Sequence, residues 1–144
     1  MSPQPEPAPT TPGMTFEQML ERIRYEGLYP TREKAEEVMR AVLGALGRQL
    51  TGDERAELAA RLPVEAALTL TAQQPETEPL TGLGFVKDLA TRTGSTPGTA
   101  RWDTGAVLAT ITHLTGPGLI DRILAQLPSG YALLFGRAEL TQAA

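Results

Sequence analysis

The sequence predicts an all-α fold in which two tandem, diverged four-helix units pack into one globular helical domain. Two observations predict it. Apolar residues recur at helical spacing behind clear N-terminal capping signals, and one stretch of the chain recurs later at a constant offset. We therefore expect about eight helices, in repeated units of roughly 55 to 60 residues.

The first helix is predicted to begin after Thr15. Gln18 follows three residues later, which is the pattern of a capping box, where each of the two side chains satisfies a backbone N–H of the other residue. Apolar residues then fall on one helical face. Gly27 is expected to end the helix, because glycine readily takes the left-handed conformation of a C-terminal cap.

The second helix is predicted to be the central helix of the first unit. Thr31 is its expected N-cap, and a long apolar stripe runs from Ala35 to Leu50. Gly44 and Gly47 inside it each cost about 1 kcal/mol relative to alanine. They indicate either a close helix crossing or a helix that frays before Leu50, and we favour close packing.

Two shorter helices complete the first unit. Thr51 opens a second capping-box pattern, so it is predicted to cap a short helix that turns Leu58 and Leu62 inward. Pro63 suits the first turn of a last helix, which we expect to run through Leu70.

The second half of the chain repeats this plan. Ala41-Val42-Leu43 recurs as Ala106-Val107-Leu108, and the same offset of 65 residues places Leu62-Pro63 over Leu127-Pro128. Two separated identities in a single register favour duplication over chance. Leu43 is therefore predicted to superpose on Leu108, and Leu62 on Leu127.

The first helices of the two halves match less well. Phe85 corresponds to Phe16 only if the second copy is a few residues shorter at this point. Pro97 suits the first turn of the following helix, with either Ser95 or Thr96 as its cap.

Polar segments that contain proline set the expected boundaries. Residues 1–13 carry five prolines and almost no apolar side chains, which predicts a disordered tail, with a polyproline II ligand for a partner domain as the alternative. Residues 71–81 have the same character and are predicted to be a linker. The two units are thus assigned to residues 14–70 and 82–138, and residues 139–144 to a C-terminal tail.

Three patterns carry a resemblance to a known family. They are the stretch Thr-Phe-Glu-Gln-Met-Leu-Glu-Arg-Ile that begins at Thr15, the Ala-Val-Leu of each middle helix, and the Leu-Pro helix ends at Leu62-Pro63 and Leu127-Pro128. Together they resemble the bacterial DUF2267 family over roughly residues 14–138. That family is a domain of unknown function, so the resemblance implies a helical two-copy fold and assigns no catalytic or binding residue.

Composition excludes several classes of protein. The formal net charge of −4 is mild and the charges are interspersed, so we expect no nucleic-acid or membrane partner. No stretch approaches the roughly 20 apolar residues of a membrane helix, and no basic segment followed by an apolar run predicts export. The chain has no cysteine, which rules out disulfides and thiolate metal sites and favours the cytoplasm. Abundant arginine and alanine suggest a GC-rich bacterial genome.

Catalytic chemistry has weak support in the sequence. His113 is the single histidine, and we interpret it as a surface or half-buried residue near a helix end rather than as a base or ligand. The acidic clusters are interleaved with arginines, as on an ordinary solvated helix face. The segments Thr81-Gly-Leu-Gly and Thr115-Gly-Pro-Gly suit helix starts better than phosphate loops. We therefore expect a non-enzymatic protein without a catalytic residue, metal or cofactor.

Trp102 and Tyr131 are the candidate interaction anchors. Aromatic residues supply anchors at interfaces and large packing area in cores alike, and for Trp102 the sequence favours core packing over an exposed anchor. Our best hypothesis is a protein–protein interaction or regulatory module, with a protein partner or self-association. The alternative is a small-molecule binder or enzyme with a pocket between the two units.

Overall fold

A computed structural model describes residues 13–137. Within that range the chain is all-helical, with eight α-helices and no strand, as the sequence predicts. In chain order the helices are α1 (Phe16–Gly27), α2 (Arg32–Gly47), α3 (Gly52–Arg61), α4 (Val64–Thr71), α5 (Gly82–Thr93), α6 (Pro97–Thr115), α7 (Pro117–Gln126) and α8 (Tyr131–Leu134).

Helix α1 begins with the predicted capping box. The Thr15 hydroxyl accepts a hydrogen bond from Gln18 N at 3.1 Å, and Thr15 N donates to Gln18 Oε1 at 3.0 Å. At the other end, the left-handed cap residue is Leu28, with φ at 56°, and Gly27 is still helical. Helix α1 therefore ends at Gly27, as the sequence predicts, although the left-handed conformation is taken by the next residue.

Helix α5 has the same length as α1, 12 residues, and also ends on a left-handed residue, Gly94. Each helix starts after a threonine whose hydroxyl caps it. Counted from these caps, Phe85 takes the place of Met19, and both side chains are buried. The predicted correspondence of Phe85 with Phe16 is therefore wrong, because the two helices align without shortening the second one.

Helix α2 shows both effects that its glycines suggest. The Thr31 hydroxyl accepts a hydrogen bond from a first-turn N–H, as predicted, and the helix ends at Gly47, before the fully buried Leu50. A Cβ on Gly47 would overlap the carbonyl oxygen of Leu70, so glycine here permits the close crossing of α2 and α4. Gly44 is under no such constraint, since a Cβ there would make only ordinary van der Waals contacts.

The predicted cap of α3 is replaced by a contact from a distant helix. Thr51 makes no side-chain cap hydrogen bond, so the capping-box prediction is wrong at this position. Instead, Thr51 N donates to Gln126 Oε1 at 3.0 Å, and Gln126 Nε2 donates to Thr51 O at 3.2 Å. Leu58 and Leu62 point inward as predicted. In α6, the N-cap is Thr96 rather than Ser95, and the Thr96 hydroxyl accepts a hydrogen bond from a backbone N–H of the first turn.

Both halves of the chain share one hydrophobic core. Helix α1 packs against α2 in its own half and against α6 in the other, while α2 packs against α4, α5 and α6. The largest fully buried side chains come from both halves: Met19, Ile23, Met39, Leu43, Leu46, Leu50, Leu58, Leu70, Phe85, Leu108, Ile111 and Tyr131.

Residues related by the offset of 65 lie in α2 and α6, and directly after α3 and α7. Leu43 in α2 and Leu108 in α6 are both fully buried. Leu62 is the C-cap of α3 with φ −95° and ψ 153°, and Leu127 is the C-cap of α7 with φ −92° and ψ 151°.

The segment between α4 and α5 is bonded to the residues that follow α2 and to α5. Glu76 N donates to Arg48 O at 2.8 Å, and the Glu76 carboxylate lies 3.7 Å from the guanidinium groups of Arg48 and Arg92. Leu80 N donates to Gln49 Oε1 at 2.9 Å. The predicted linker at residues 71–81 therefore follows a fixed path on the surface of the fold.

The predicted tails at residues 1–13 and 139–144 lie outside the described residues, except for Gly13, and both stay predictions. Among the helices described, none combines the length and the apolarity that crossing a lipid bilayer requires.

Candidate functional site

The end of α1 is fastened to α6 by two hydrogen bonds. The Tyr29 hydroxyl donates to Asp103 Oδ1 at 2.6 Å, and the Trp102 indole N–H donates to the Gly27 carbonyl at 2.9 Å. The Tyr29 ring lies so close to Gly27 that a Cβ there would overlap it. Only glycine therefore lets the ring cross the helix end and reach Asp103.

Tyr29 acts as a neutral donor in this arrangement. Burial raises the pKa of the Tyr29 phenol well above its usual value, and the hydrogen bond from the phenol to Asp103 and the negative charge of that residue raise it further. The proton therefore stays on the phenol oxygen at neutral pH, and the link between α1 and α6 stays intact.

Trp102 is held in place and yet presents surface. Its indole N–H is bonded to the end of α1, while 55% of the residue remains exposed. The favoured expectation of core packing therefore does not match its position. A buried tryptophan fills a core, whereas an exposed ring fixed by a hydrogen bond presents a rigid apolar face to solvent.

Trp102 forms one wall of an open groove between α1, α6 and α8, which we call the Trp102 groove. Its volume is about 480 Å³. Leu133 of α8, 50% exposed, adds a second apolar side chain. The lining residues that matter below are Glu26, Gly98, Arg101, Trp102, Gly105 and Leu133.

The floor of the groove is open because two lining residues of α6 lack side chains. A Cβ on Gly105 would meet nothing within 4 Å, and one on Gly98 would meet only a threonine hydroxyl at 3.9 Å. Neither glycine is required by the packing of the fold. Each instead leaves the surface of α6 accessible beside Trp102.

The charged residues at the groove differ in their pairing. Glu26 accepts a hydrogen bond from Arg22 Nε at 2.9 Å, so its charge is compensated within α1. Arg101 is exposed and makes no ion pair with any residue between 13 and 137. The groove therefore offers one uncompensated cation to an occupant.

Tyr131 contributes to the core and not to this surface. The residue is 1% exposed, its ring packs edge-on against Phe85 with 5.6 Å between centroids, and its hydroxyl donates to Leu80 O at 2.9 Å. The prediction that Tyr131 is an interaction anchor does not match this position, since an anchor must present surface and both the ring and the hydroxyl are already engaged. Burial also raises the pKa of its phenol.

The other residues singled out by the sequence lie away from the groove, or are paired. His113 is exposed in the last turn of α6. Arg24 pairs with Glu21 at 3.7 Å, and Tyr25 beside it is 72% exposed. The two glycine-rich segments form the starts of α5 and α7. No group of three or more potential metal ligands occurs in the described part of the chain.

Sequence reasoning missed the bond between Tyr29 and Asp103 and the groove residue Leu133. Tyr29 stands in a loop without periodicity, and its partner Asp103 is 74 residues away in the sequence. Leu133 looks like an apolar core residue until the short helix α8 turns it outward. Gly105 was the one sequence feature that pointed to the groove, because a glycine inside a helix is unfavourable and usually has a packing or functional reason.

The comparisons with known proteins identify a family but no function. The family model described as "Uncharacterized conserved protein (DUF2267)" matches residues 16–134. No curated protein matches the chain.

Proposed function

The chain belongs to the DUF2267 family of uncharacterized conserved proteins, and from that premise we propose that it is a non-enzymatic protein-interaction module that docks its partner in the Trp102 groove. The proposed occupant is a partner segment with an apolar side chain for Trp102 and a carboxylate for Arg101.

The observation that carries this proposal is a tryptophan that is exposed and immobilised at once. Interface energy concentrates in rigid aromatic anchors at the centre of a contact, and tryptophan is among the residues most enriched there. Since the Trp102 indole is already fixed by Gly27, little side-chain entropy is lost when a partner covers it.

The surroundings of Trp102 support docking of a polypeptide. The missing side chains at Gly98 and Gly105 allow a partner backbone to approach α6, and Leu133 extends the apolar contact on the far side. Arg101 provides a charge that selects an acidic residue over a basic one.

The same lining gives little support to acid–base catalysis. Such catalysis uses two titratable groups within mutual reach, one of which changes its protonation near neutral pH. The lining contains a single carboxylate, Glu26, and that group is engaged by Arg22. The alternative function, binding of a small molecule, retains some support, because residues from both halves of the chain line the groove.

We also propose that the fold consists of two tandem four-helix units, residues 14–70 and 82–138, which arose by duplication. Support comes from the equal lengths of α1 and α5, from the matching backbone angles of Leu62 and Leu127, and from the burial of the paired core positions.

We further propose that the protein is located in the cytoplasm, because the chain contains no cysteine and therefore suits a reducing compartment.

Comparative affinity purification tests the docking proposal. The full chain, Trp102→Ala and Leu83→Ala would be expressed as tagged baits in the source organism, Leu83 being a large apolar residue 65% exposed on α5 and outside the groove lining. We expect at least one protein that is enriched by the wild type and by Leu83→Ala and depleted by Trp102→Ala.

Binding of the purified partner should then change the fluorescence of Trp102, which is the single tryptophan of the chain. A partner retained equally by all three baits would contradict docking at Trp102. A small molecule that co-purifies with the wild type and shifts the same fluorescence would favour the alternative function.

A further inference from the structure

A second groove lies between α2 and α5, at the place that corresponds to the Trp102 groove in the other half. Gly105 is the ninth residue of α6, and the ninth residue of α2 is Arg40. Glu26 is the eleventh residue of α1, and the eleventh residue of α5 is Arg92. At both positions, arginine stands where the Trp102 groove has glycine or glutamate.

This second groove, which we call the arginine groove, has a volume of about 260 Å³. Its lining includes Arg40, Gly44, Arg48, Gln73 and Arg92, and every charged residue in that lining is an arginine. Pockets that hold drug-sized ligands measure about 300–1,000 Å³, so this one suits a smaller molecule.

The carboxylates near these arginines stand outside the lining and compensate them incompletely. Arg40 is paired with Glu36 at 2.6 Å and Arg92 with Asp88 at 2.8 Å. Arg48 has only Glu76 at 3.7 Å, a carboxylate that it shares with Arg92 at the same distance.

The guanidinium of Arg48 is partly buried and still has N–H donors without a hydrogen-bond acceptor among residues 13–137. Its side chain is 16% exposed, and its guanidinium makes one hydrogen bond shorter than 3.5 Å, from Nη1 to Gln73 Oε1 at 3.0 Å. A guanidinium carries five N–H donors. Burial lowers the pKa of Arg48, and repulsion by Arg92 is the next largest cause, ahead of the attraction of Asp88 and Glu76. An anion placed between Arg48 and Arg92 would relieve this repulsion.

We propose that the arginine groove binds the phosphate group of a small phosphorylated molecule, with Arg48 and Arg92 as the principal donors and Arg40 of α2 as a third donor. Guanidinium groups present two parallel N–H donors that match the spacing of phosphate oxygens, and such charge-assisted hydrogen bonds are about twice as strong as neutral ones. The proposal is independent of what occupies the Trp102 groove.

Titration calorimetry with inorganic pyrophosphate, at an ionic strength held constant with sodium chloride, tests this assignment. Arg92→Gln is the informative variant. Arg32→Gln is its matched control, because Arg32 is equally exposed at 49%, is also paired with a carboxylate, and lies outside the groove lining. We expect Arg92→Gln to weaken pyrophosphate binding about tenfold, and the control to leave it unchanged.

Arg40→Gln repeats the test on α2, across the groove from Arg92. Thermal melts without ligand establish that each variant is folded. Undetectable binding by the wild type, or an equal loss in Arg92→Gln and Arg32→Gln, would overturn the proposal, because the second result means attraction by overall charge alone. A phosphoserine peptide that binds more tightly than pyrophosphate would overturn the assignment to a small molecule.

Discussion

Glu57 on α3 and Arg122 on α7 stand 65 residues apart and bind each other through two hydrogen bonds, Arg122 Nη1 to Glu57 Oε1 at 2.8 Å and Arg122 Nη2 to Glu57 Oε2 at 2.9 Å. The separation equals the offset of the proposed internal repeat. In a pair of units related by a two-fold axis, the residues that meet their own counterparts are those nearest the axis.

The ends of the same helices are joined reciprocally. Arg61, the last residue of α3, donates to Thr115 O beside the start of α7 at 2.9 Å. Gln126, the last residue of α7, bonds to Thr51 at the start of α3. The helices α3 and α7 therefore run antiparallel, which suits an approximate two-fold relationship between the proposed units.

The first prediction concerns the coupling of Glu57 and Arg122. Glu57→Gln and Arg122→Gln should each lower the Tm, and the double variant should lose less than the sum of the two, because each single change already removes the ion pair. Arg101→Gln, an exposed arginine without an ion pair in the described residues, is the control and should leave the Tm unchanged. Strict additivity of the two changes would show that the pair does not join α3 to α7.

The second prediction concerns acid. The hydrogen bonds from Arg122, together with its charge and that of Arg61, hold the pKa of Glu57 below its usual range in the folded state. Because the folded pKa lies below the unfolded value of about 4.3, the stabilisation is fully present above that pH and is lost as the pH falls through the folded pKa.

Between pH 7 and pH 3, the Tm of the wild type should therefore fall more steeply than that of Glu57→Gln. Glu65→Gln, at an exposed position of α4 without an ion pair within residues 13–137, should follow the wild type. Parallel curves for the wild type and Glu57→Gln would contradict the assigned pKa shift.

The third prediction concerns the link between α1 and α6. Tyr29→Phe removes the hydroxyl that donates to Asp103 and should lower the free energy of unfolding by about 1 kcal/mol, measured by urea denaturation. Tyr25→Phe is the matched control, since Tyr25 is 72% exposed, and should be neutral. Equal effects of the two changes would mean that the bond to Asp103 contributes nothing to stability.

The fourth prediction uses two glycines of one helix. Gly47→Ala should destabilise the fold, because its Cβ would overlap the backbone of Leu70, which cannot move away as a side chain could. Gly44→Ala should stabilise it by about 0.5 to 1 kcal/mol, because the added methyl group finds ordinary contacts and the unfolded chain loses freedom. Urea denaturation of the two variants would contradict the close crossing if their effects had the same sign.

The sequence predicted what depends on neighbouring residues. The caps at Thr15 and Thr31 follow from short patterns, because the hydroxyl and the N–H groups that it satisfies lie within three residues. For α6 the same reasoning leaves Ser95 and Thr96 as alternatives, of which Thr96 is the cap. The cap at Thr51 failed for the opposite reason, since Gln126 competes for its backbone from another helix.

Two features were harder to predict, because they depend on tertiary packing. They are which residues of the two halves correspond to each other, and which aromatic side chains are exposed. Phe85 was paired with Phe16 by residue type, whereas distance from the cap pairs it with Met19. The exposure of Trp102 and the burial of Tyr131 depend on how α6 and α8 meet α1 and α5, and no short pattern encodes that. The sequence consequently pointed to Trp102 as a candidate anchor but did not predict the groove around it.

Photo-crosslinking inside living cells tests the docking proposal most directly. A photoreactive phenylalanine derivative would replace Leu133 in the Trp102 groove, and in a matched control it would replace Leu68, a leucine of α4 that lies 65 residues earlier and is 64% exposed. We predict one discrete protein adduct from position 133 that disappears when Trp102→Ala is added, and no such adduct from position 68. The same adducts from both positions, or an adduct at 133 that survives Trp102→Ala, would contradict the proposal that this groove is where the protein meets its partner.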